Sequence, residues 1–282
     1  MIKNKDSLKA KVNNISKEYN IPNKYLIQDY MFEEILKRIS YSKYKDNFII
    51  KGGLLLASIF GVNLRSTMDM DTTIKGIALT KENITEVLNS ILNIDIEDNI
   101  KFELISIKDI RDENLYNGYR VHINANFEGL KCNLLIDITT GDVITYSEIQ
   151  YSYKPLFDNE RINIMAYNYE TIIAEKFHSI IVLNVDNTRM KDYYDIHMFV
   201  QLKWNEINKD TLKVAIMNTA ESRNTEEYIN HSNEYISLIE SDNEMKNMWE
   251  KYRNNFPYAS NIKFDEIIES IKKINNVFIS NK

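Results

Sequence analysis

Two carboxylates split by one apolar residue, Asp69-Met70-Asp71, stand in the run RSTMDMDTTIK. On an extended strand, positions i and i+2 share a face, so both acids would stand together while Met70 turns into the core. Adjacent carboxylates repel, and a cation between them relieves that cost. Mg²⁺ (or Mn²⁺) suits the position, because it is held by one or two carboxylates and completes its shell with water and phosphate oxygens. Upstream, Gly52 and Gly53 sit side by side in a chain with only 7 glycines in 282 residues. They follow the apolar run FIIK and precede LLLASIF. Backbone N–H groups at such a helix start, with no side chains in the way, favour a phosphate. The two features complement each other: one cradles a triphosphate, the other holds its metal. A third acid, Asp137 in KCNLLIDITT, ends an apolar run whose strand would join the same sheet. Asp69, Asp71 and Asp137 could then hold two ions that activate a hydroxyl and stabilise leaving pyrophosphate. Each piece has a plain structural alternative: Asp-x-Asp is common at strand ends and Gly-Gly is commonly just a turn. Their order along the chain is what favours chemistry.

The elements that must position these residues can be read from periodicity. Residues 6–20 and 23–40 predict amphipathic helices separated by Pro22, the second with Leu26, Tyr30, Ile35 and Leu36 near one stripe. Residues 47–60 predict a short strand, a Gly-Gly turn and a helix, and 67–75 alternate as a strand does. Thr80 reads as the N-cap of a helix over 80–93. Strands follow at 100–108, 119–128 and 131–138, the last two joined by a hairpin around Glu128-Gly129-Leu130. These strands lack intervening helices, which predicts a mixed sheet. Residues 169–185 and 190–203 read as helices, as does nearly everything after 206. The expected class is α+β: N-terminal helices and a mixed-sheet core in 1–165, then a helical domain in 166–282.

Composition sets the outer bounds. Hydrophobic residues are 44% and charged residues 27%, enough apolar material for a sizeable core. The net charge of −6 gives no global basic footprint for nucleic acid, although Lys3, Lys5, Lys9, Lys11 and Lys17 gather near the start. A single cysteine, Cys132, rules out an internal disulfide and fits a cytoplasmic location; it reads as a buried strand residue. No stretch is apolar enough for a membrane span. The four histidines lack metal-ligand spacing, so zinc is not expected.

Lys51-Gly52-Gly53 followed by Arg65, Thr67, Asp69 and Asp71 resembles the signature of nucleotidyltransferases, and more narrowly the AbiEii/AbiGii toxin family of bacterial abortive-infection toxin–antitoxin systems. Three further landmarks of that family match in order: Ile136-Asp137-Ile138, Ala174-Glu175-Lys176, and Lys191-Asp192-Tyr193-Tyr194-Asp195. Two positions depart from the usual pattern, Thr67 where Ser is common and Lys191 where Arg is usual. The resemblance implies a nucleotidyltransferase-fold core and a toxin that transfers a nucleotidyl group from an NTP, GTP or CTP foremost, to RNA, with the tRNA 3′ end as leading acceptor and growth arrest as outcome. A cognate antitoxin is the implied partner, with or without direct binding. By the same resemblance Lys51, Gly52, Gly53, Arg65, Thr67 and Lys176 would bind the nucleotide. Asp192 would join the catalytic set, orienting Lys176 or Arg189. Read from pattern alone, Lys176 lies beside an apolar face and could simply snorkel, and Asp195 could pair with Lys191 or act as a cap. Two other functions use the same residues: nucleotidylation of a protein acceptor, and an NTP-gated binding module without turnover.

Overall fold

The computed structural model describes residues 2–65, 67–110 and 118–280. The chain divides into two compact units, one of residues 1–142 with 148–167, the other of residues 143–147 with 168–282.

The first unit is a seven-stranded mixed sheet with helices. Helices α1 (Lys5–Tyr19) and α2 (Asn23–Tyr41) lead into β1 (Phe48–Lys51), α3 (Gly52–Phe60), β2 (Asp69–Ile74) and α4 (Lys81–Leu92). Strands β3 (Ile100–Asp109), β4 (Gly118–Phe127), β5 (Leu130–Thr139), β6 (Ile149–Tyr153) and β7 (Ile162–Ala166) complete it. The strand order is β3-β4-β5-β2-β1-β7-β6; β2 runs parallel to β5 and β1 to β7, while the other neighbours are antiparallel. Local chemistry explains the boundaries. Pro22, with φ of −59°, starts α2, and the Thr80 hydroxyl accepts from Asn83 N at 3.2 Å to start α4. Glu128 and Gly129, with φ of 48° and 85°, form the tight turn that pairs Phe127 with Leu130. Two left-handed residues match the twist of a two-residue hairpin. On β5, Cys132, Leu134, Ile136 and Ile138 are buried, and the residues between them form the opposite, more open face.

Helix α2 departs from the expected single stripe. It is buried almost all round, and Asp29, Glu33, Glu34 and Arg38 go inside with its apolar residues. Arg38 offsets part of that cost through a bidentate pair with Asp98 at 2.7 and 2.8 Å, both side chains 2% exposed. Glu33 accepts from the backbone N–H of Leu156 and Phe157. Strands β6 and β7 are absent from the sequence reading. Both are five residues long, and the apolar alternation of Ile162, Ile164 and Ala166 is the signal that marks β7.

The second unit is helical: α5 (Tyr169–Leu183), α6 (Met190–Leu202), α7 (Lys209–Ser222), α8 (Glu226–Asn230), α9 (Ser232–Ser241), α10 (Asn243–Asn255) and α11 (Phe264–Ile279). Asn168, Asn208 and Asp242 cap α5, α7 and α10 with their side chains. Its core includes Phe177, Phe199, Trp249 and Ile271. The segment 143–147 is tied in at Thr145, which is 2% exposed: its N–H donates to Thr171 Oγ1 at 3.1 Å, and its carbonyl accepts from Asn168 Nδ2 at 2.9 Å. Among the described residues no helix is long and apolar enough to cross a membrane.

Candidate active site

Register alone assembles the first unit's polar residues. Lys51 on β1 pairs with Asp71 on β2, Asp71 with Asp137 on β5, and Asp137 with Arg120 on β4. Paired residues on neighbouring strands project to the same face, so four strands present one row of charges: cation, acid, acid, cation. Asp69 joins that face two residues from Asp71, and Met70 between them is 1% exposed.

The glycines make room for this row. Gly52 has φ of +65°, and a Cβ there would fall 1.8 Å from Asp71 Oδ2. At Gly53 a Cβ would fall 2.4 Å from Thr67 Oγ1. Gly-Gly is therefore the surface against which Asp71 and Thr67 rest, and it also opens the N-terminus of α3. Thr67 is buried, and its hydroxyl donates to Asp69 Oδ1 at 2.6 Å, fixing that carboxylate's orientation. Arg65, buried at 6% exposure, precedes it.

The flanking cations are both engaged. Lys51 Nζ donates to Asp142 Oδ2 at 2.7 Å and to Thr139 Oγ1 at 2.9 Å. Burial of Asp142 works to raise its pKa, but the Lys51 charge and hydrogen bonds from Lys51, Thr139 and Thr73 outweigh it and hold it below the ordinary value. Arg120 grips Asp137 with two bonds, Nε to Oδ1 at 2.8 Å and Nη2 to Oδ2 at 2.7 Å. The Asp137 hydrogen bond and charge, with smaller contributions from Asp69 and Asp71, hold the guanidinium pKa above its usual value. Arg120 was missed in the sequence reading. Among the described residues, no group of three or more His, Cys, Asp or Glu side chains converges as a metal cage. Asp69 and Asp71 stand together on one face of β2, and one or two carboxylates are what a site of the Mg²⁺ type asks of a protein, while Asp137 faces Arg120.

In the second unit, Lys176 is neither solvated nor snorkelling. Its Nζ lies 2.8 Å from Asp192 Oδ1 and 2.8 Å from Asp195 Oδ2, with 13%, 3% and 0% of the side chains exposed. Arg189 Nε approaches the other Asp192 oxygen at 3.3 Å. Asp195 thus pairs with Lys176 across α5 and α6. Burial alone would lower the Lys176 pKa, but the two carboxylates outweigh it and the net shift is upward. His178 bonds Thr225 at 2.7 Å and Arg223 at 3.0 Å. Burial and the Arg223 charge push its pKa down to about 3, leaving a neutral structural imidazole. Cys132 is a buried free thiol.

Residues 34–270 match the family model described as nucleotidyl transferase AbiEii toxin, type IV TA system. Among solved structures, a candidate nucleotidyltransferase from H. pylori superposes with a TM-score of 0.50 at 15% identity, covering 93% of this chain and 99% of the other. JHP933 from Helicobacter pylori gives 0.49 at 14% identity, covering 92% and 94%. An antigenic nucleotidyltransferase-like protein from Paracoccidioides brasiliensis gives 0.40 at 16%, covering 70% and 88%. At such identities the first likeness speaks for the fold alone. No curated protein matches the sequence.

Proposed function

Since the chain belongs to the AbiEii nucleotidyl transferase toxin family of type IV toxin–antitoxin systems, we propose that it transfers NMP from an NTP to an RNA acceptor, the tRNA 3′ end foremost, with Mg²⁺ or Mn²⁺ as cofactor. The observation that carries this reading is the in-register row Lys51–Asp71–Asp137–Arg120 beside Gly52. In the reaction, the acceptor hydroxyl oxygen attacks the α-phosphorus, the bond to the β-phosphate oxygen breaks, and pyrophosphate leaves. Asp69 and Asp71 are the residues that would hold the metal, which supplies positive charge to the phosphate oxygens. Thr67 keeps Asp69 aimed, and Gly52 and Gly53 offer the α3 N-terminus to the triphosphate. Asp137, the third acid of the row, would join them at the metal and help activate the acceptor hydroxyl by drawing off its proton. A bacterial toxin of this kind works in the cytoplasm, where tRNA and NTP are found, and its antitoxin is the partner that offsets it.

The decisive experiment incubates pure protein with total tRNA and each labelled NTP in turn. Label is expected on tRNA with one or two NTPs, GTP or CTP foremost, and none with Asp71→Asn. Label on the protein fraction instead would favour a protein acceptor. Absence of label from every acceptor, with NTP still bound, would point to a binding module.

A further inference from the structure

The Arg120–Asp137 grip carries consequences for metal loading. It is bidentate, at 2.8 and 2.7 Å, so it occupies both oxygens of the third carboxylate. It is also built to be undone. The Arg120 side chain is 49% exposed whereas Asp137 is 16% exposed, so the guanidinium lies at the outer rim of the row and can withdraw into solvent without opening the sheet. Its neighbour across the next strand pair is Lys108, another exposed cation. The inner acids cannot move in the same way. Asp71 rests on Gly52, and Asp69 is held by Thr67 at 2.6 Å. The row therefore has a fixed pair of carboxylates and one carboxylate whose two oxygens each accept a hydrogen bond from a rim cation.

We infer that Arg120 is a displaceable internal counterion: it grips Asp137 at both oxygens, competes with a divalent cation for that carboxylate, and must withdraw before Asp137 can join Asp69 and Asp71. This rests on the metal reading of the acidic row. It makes Arg120 a positioning residue, acting through Asp137. The Arg120 charge offsets that of Asp137, which lessens its repulsion with Asp71 on the adjacent strand. The same charge sets the metal concentration at which the site fills.

Mn²⁺ titration followed by electron paramagnetic resonance tests this without reference to turnover. The parent, Arg120→Gln, Arg120→Lys, Asp69→Asn, Asp137→Asn and the double variant Arg120→Gln/Asp137→Asn are compared, with melting in chelator as a check on folding. Arg120→Gln is expected to bind Mn²⁺ roughly three- to tenfold more tightly, the range for losing one half-exposed competing ion pair. Arg120→Lys, which cannot make the bidentate grip, should fall between. In the Asp137→Asn background Arg120→Gln should change nothing. Unchanged or weaker Mn²⁺ binding in Arg120→Gln, with binding still abolished by Asp69→Asn, overturns the inference and leaves the metal reading intact. If no variant binds Mn²⁺, or Asp69→Asn binds it normally, the metal reading fails and the inference falls with it.

Discussion

At the scale of single residues, the paired glycines answer to sterics. Gly52→Ala places a Cβ against Asp71 and forces a left-handed alanine, so nucleotidyl transfer should fall by about two orders of magnitude or more, the scale of losing a charged group at a reacting centre. Gly129→Ala is the matched control. Its φ is also positive, at +85°, but nothing lies within 4 Å, so it should cost about 1–2 kcal/mol of stability and leave turnover intact. Equal loss of activity in both variants would show that backbone strain, and not the Asp71 contact, is responsible. Lys176 invites a different expectation. Lys176→Met takes the shared ammonium from two buried carboxylates and should lower unfolding free energy by about 3–5 kcal/mol in a denaturant titration, with Asp195→Asn in the same chain recovering part of it. Its raised pKa means this stabilisation is complete below the unfolded lysine value, ~10.4, and disappears as pH climbs through the higher folded value. A Lys176→Met protein that melts like the parent would refute the ion-triad account. Arg120 shows what residue-level reading can miss and why. The hairpin turn at Glu128-Gly129 was legible, and counting back equally along both strands from Phe127 and Leu130 brings Arg120 opposite Asp137. The information lay in the register, not in the residue's own neighbourhood.

At the scale of elements, the helix and strand periods identified most of the chain, because an amphipathic helix or a half-buried strand writes its exposure into its sequence. Helix α2 does not, since a helix enclosed on all sides has no solvent face to write. Its acids carry no mark of burial in the sequence, yet Asp29 and Glu33 are 4% and 2% exposed. Burial raises Asp29 to about 7; burial first, then repulsion from Asp29 and Glu34, overcomes two backbone hydrogen bonds to raise Glu33 to about 8. Unfolded, both would titrate near ~4. The folded chain therefore holds extra protons up to about pH 8, and stability declines as pH rises through that window. His178 opposes this only below ~6.5, where an unfolded imidazole gains its proton. Melting temperature should accordingly drop between pH 6.5 and 9, and Asp29→Asn should flatten the slope. A parallel curve in that variant would mean the carboxyl is ionised when buried. The five-residue β6 and β7 escaped notice for another reason: a run so short yields too few alternations to stand out from a loop, and pairing with β1 is what makes β7 a strand.

At the scale of the molecule, the boundary between units is not a point in the chain. Residues 143–147 belong to the helical unit, while their neighbours on both sides belong to the sheet unit. The division expected from sequence, 1–165 and 166–282, is a single cut and does not describe this interleaving. Thr145 bonds Thr171, Asn168 and Asn218, three hydrogen-bonding groups that lose their partners when it is removed. A fragment of residues 143–282 should thus retain more helical signal and a higher melting temperature than one of 168–282, measured by circular dichroism under the same conditions. Equal stability would show the segment to be dispensable. The interleaving also limits how such genes can be shuffled. A single crossover between two diverged relatives anywhere from 148 to 167 would furnish the helical unit with a foreign clasp, chosen to fit another protein's Thr171 and Asn218, so viable hybrids should require two crossovers, or none inside this stretch.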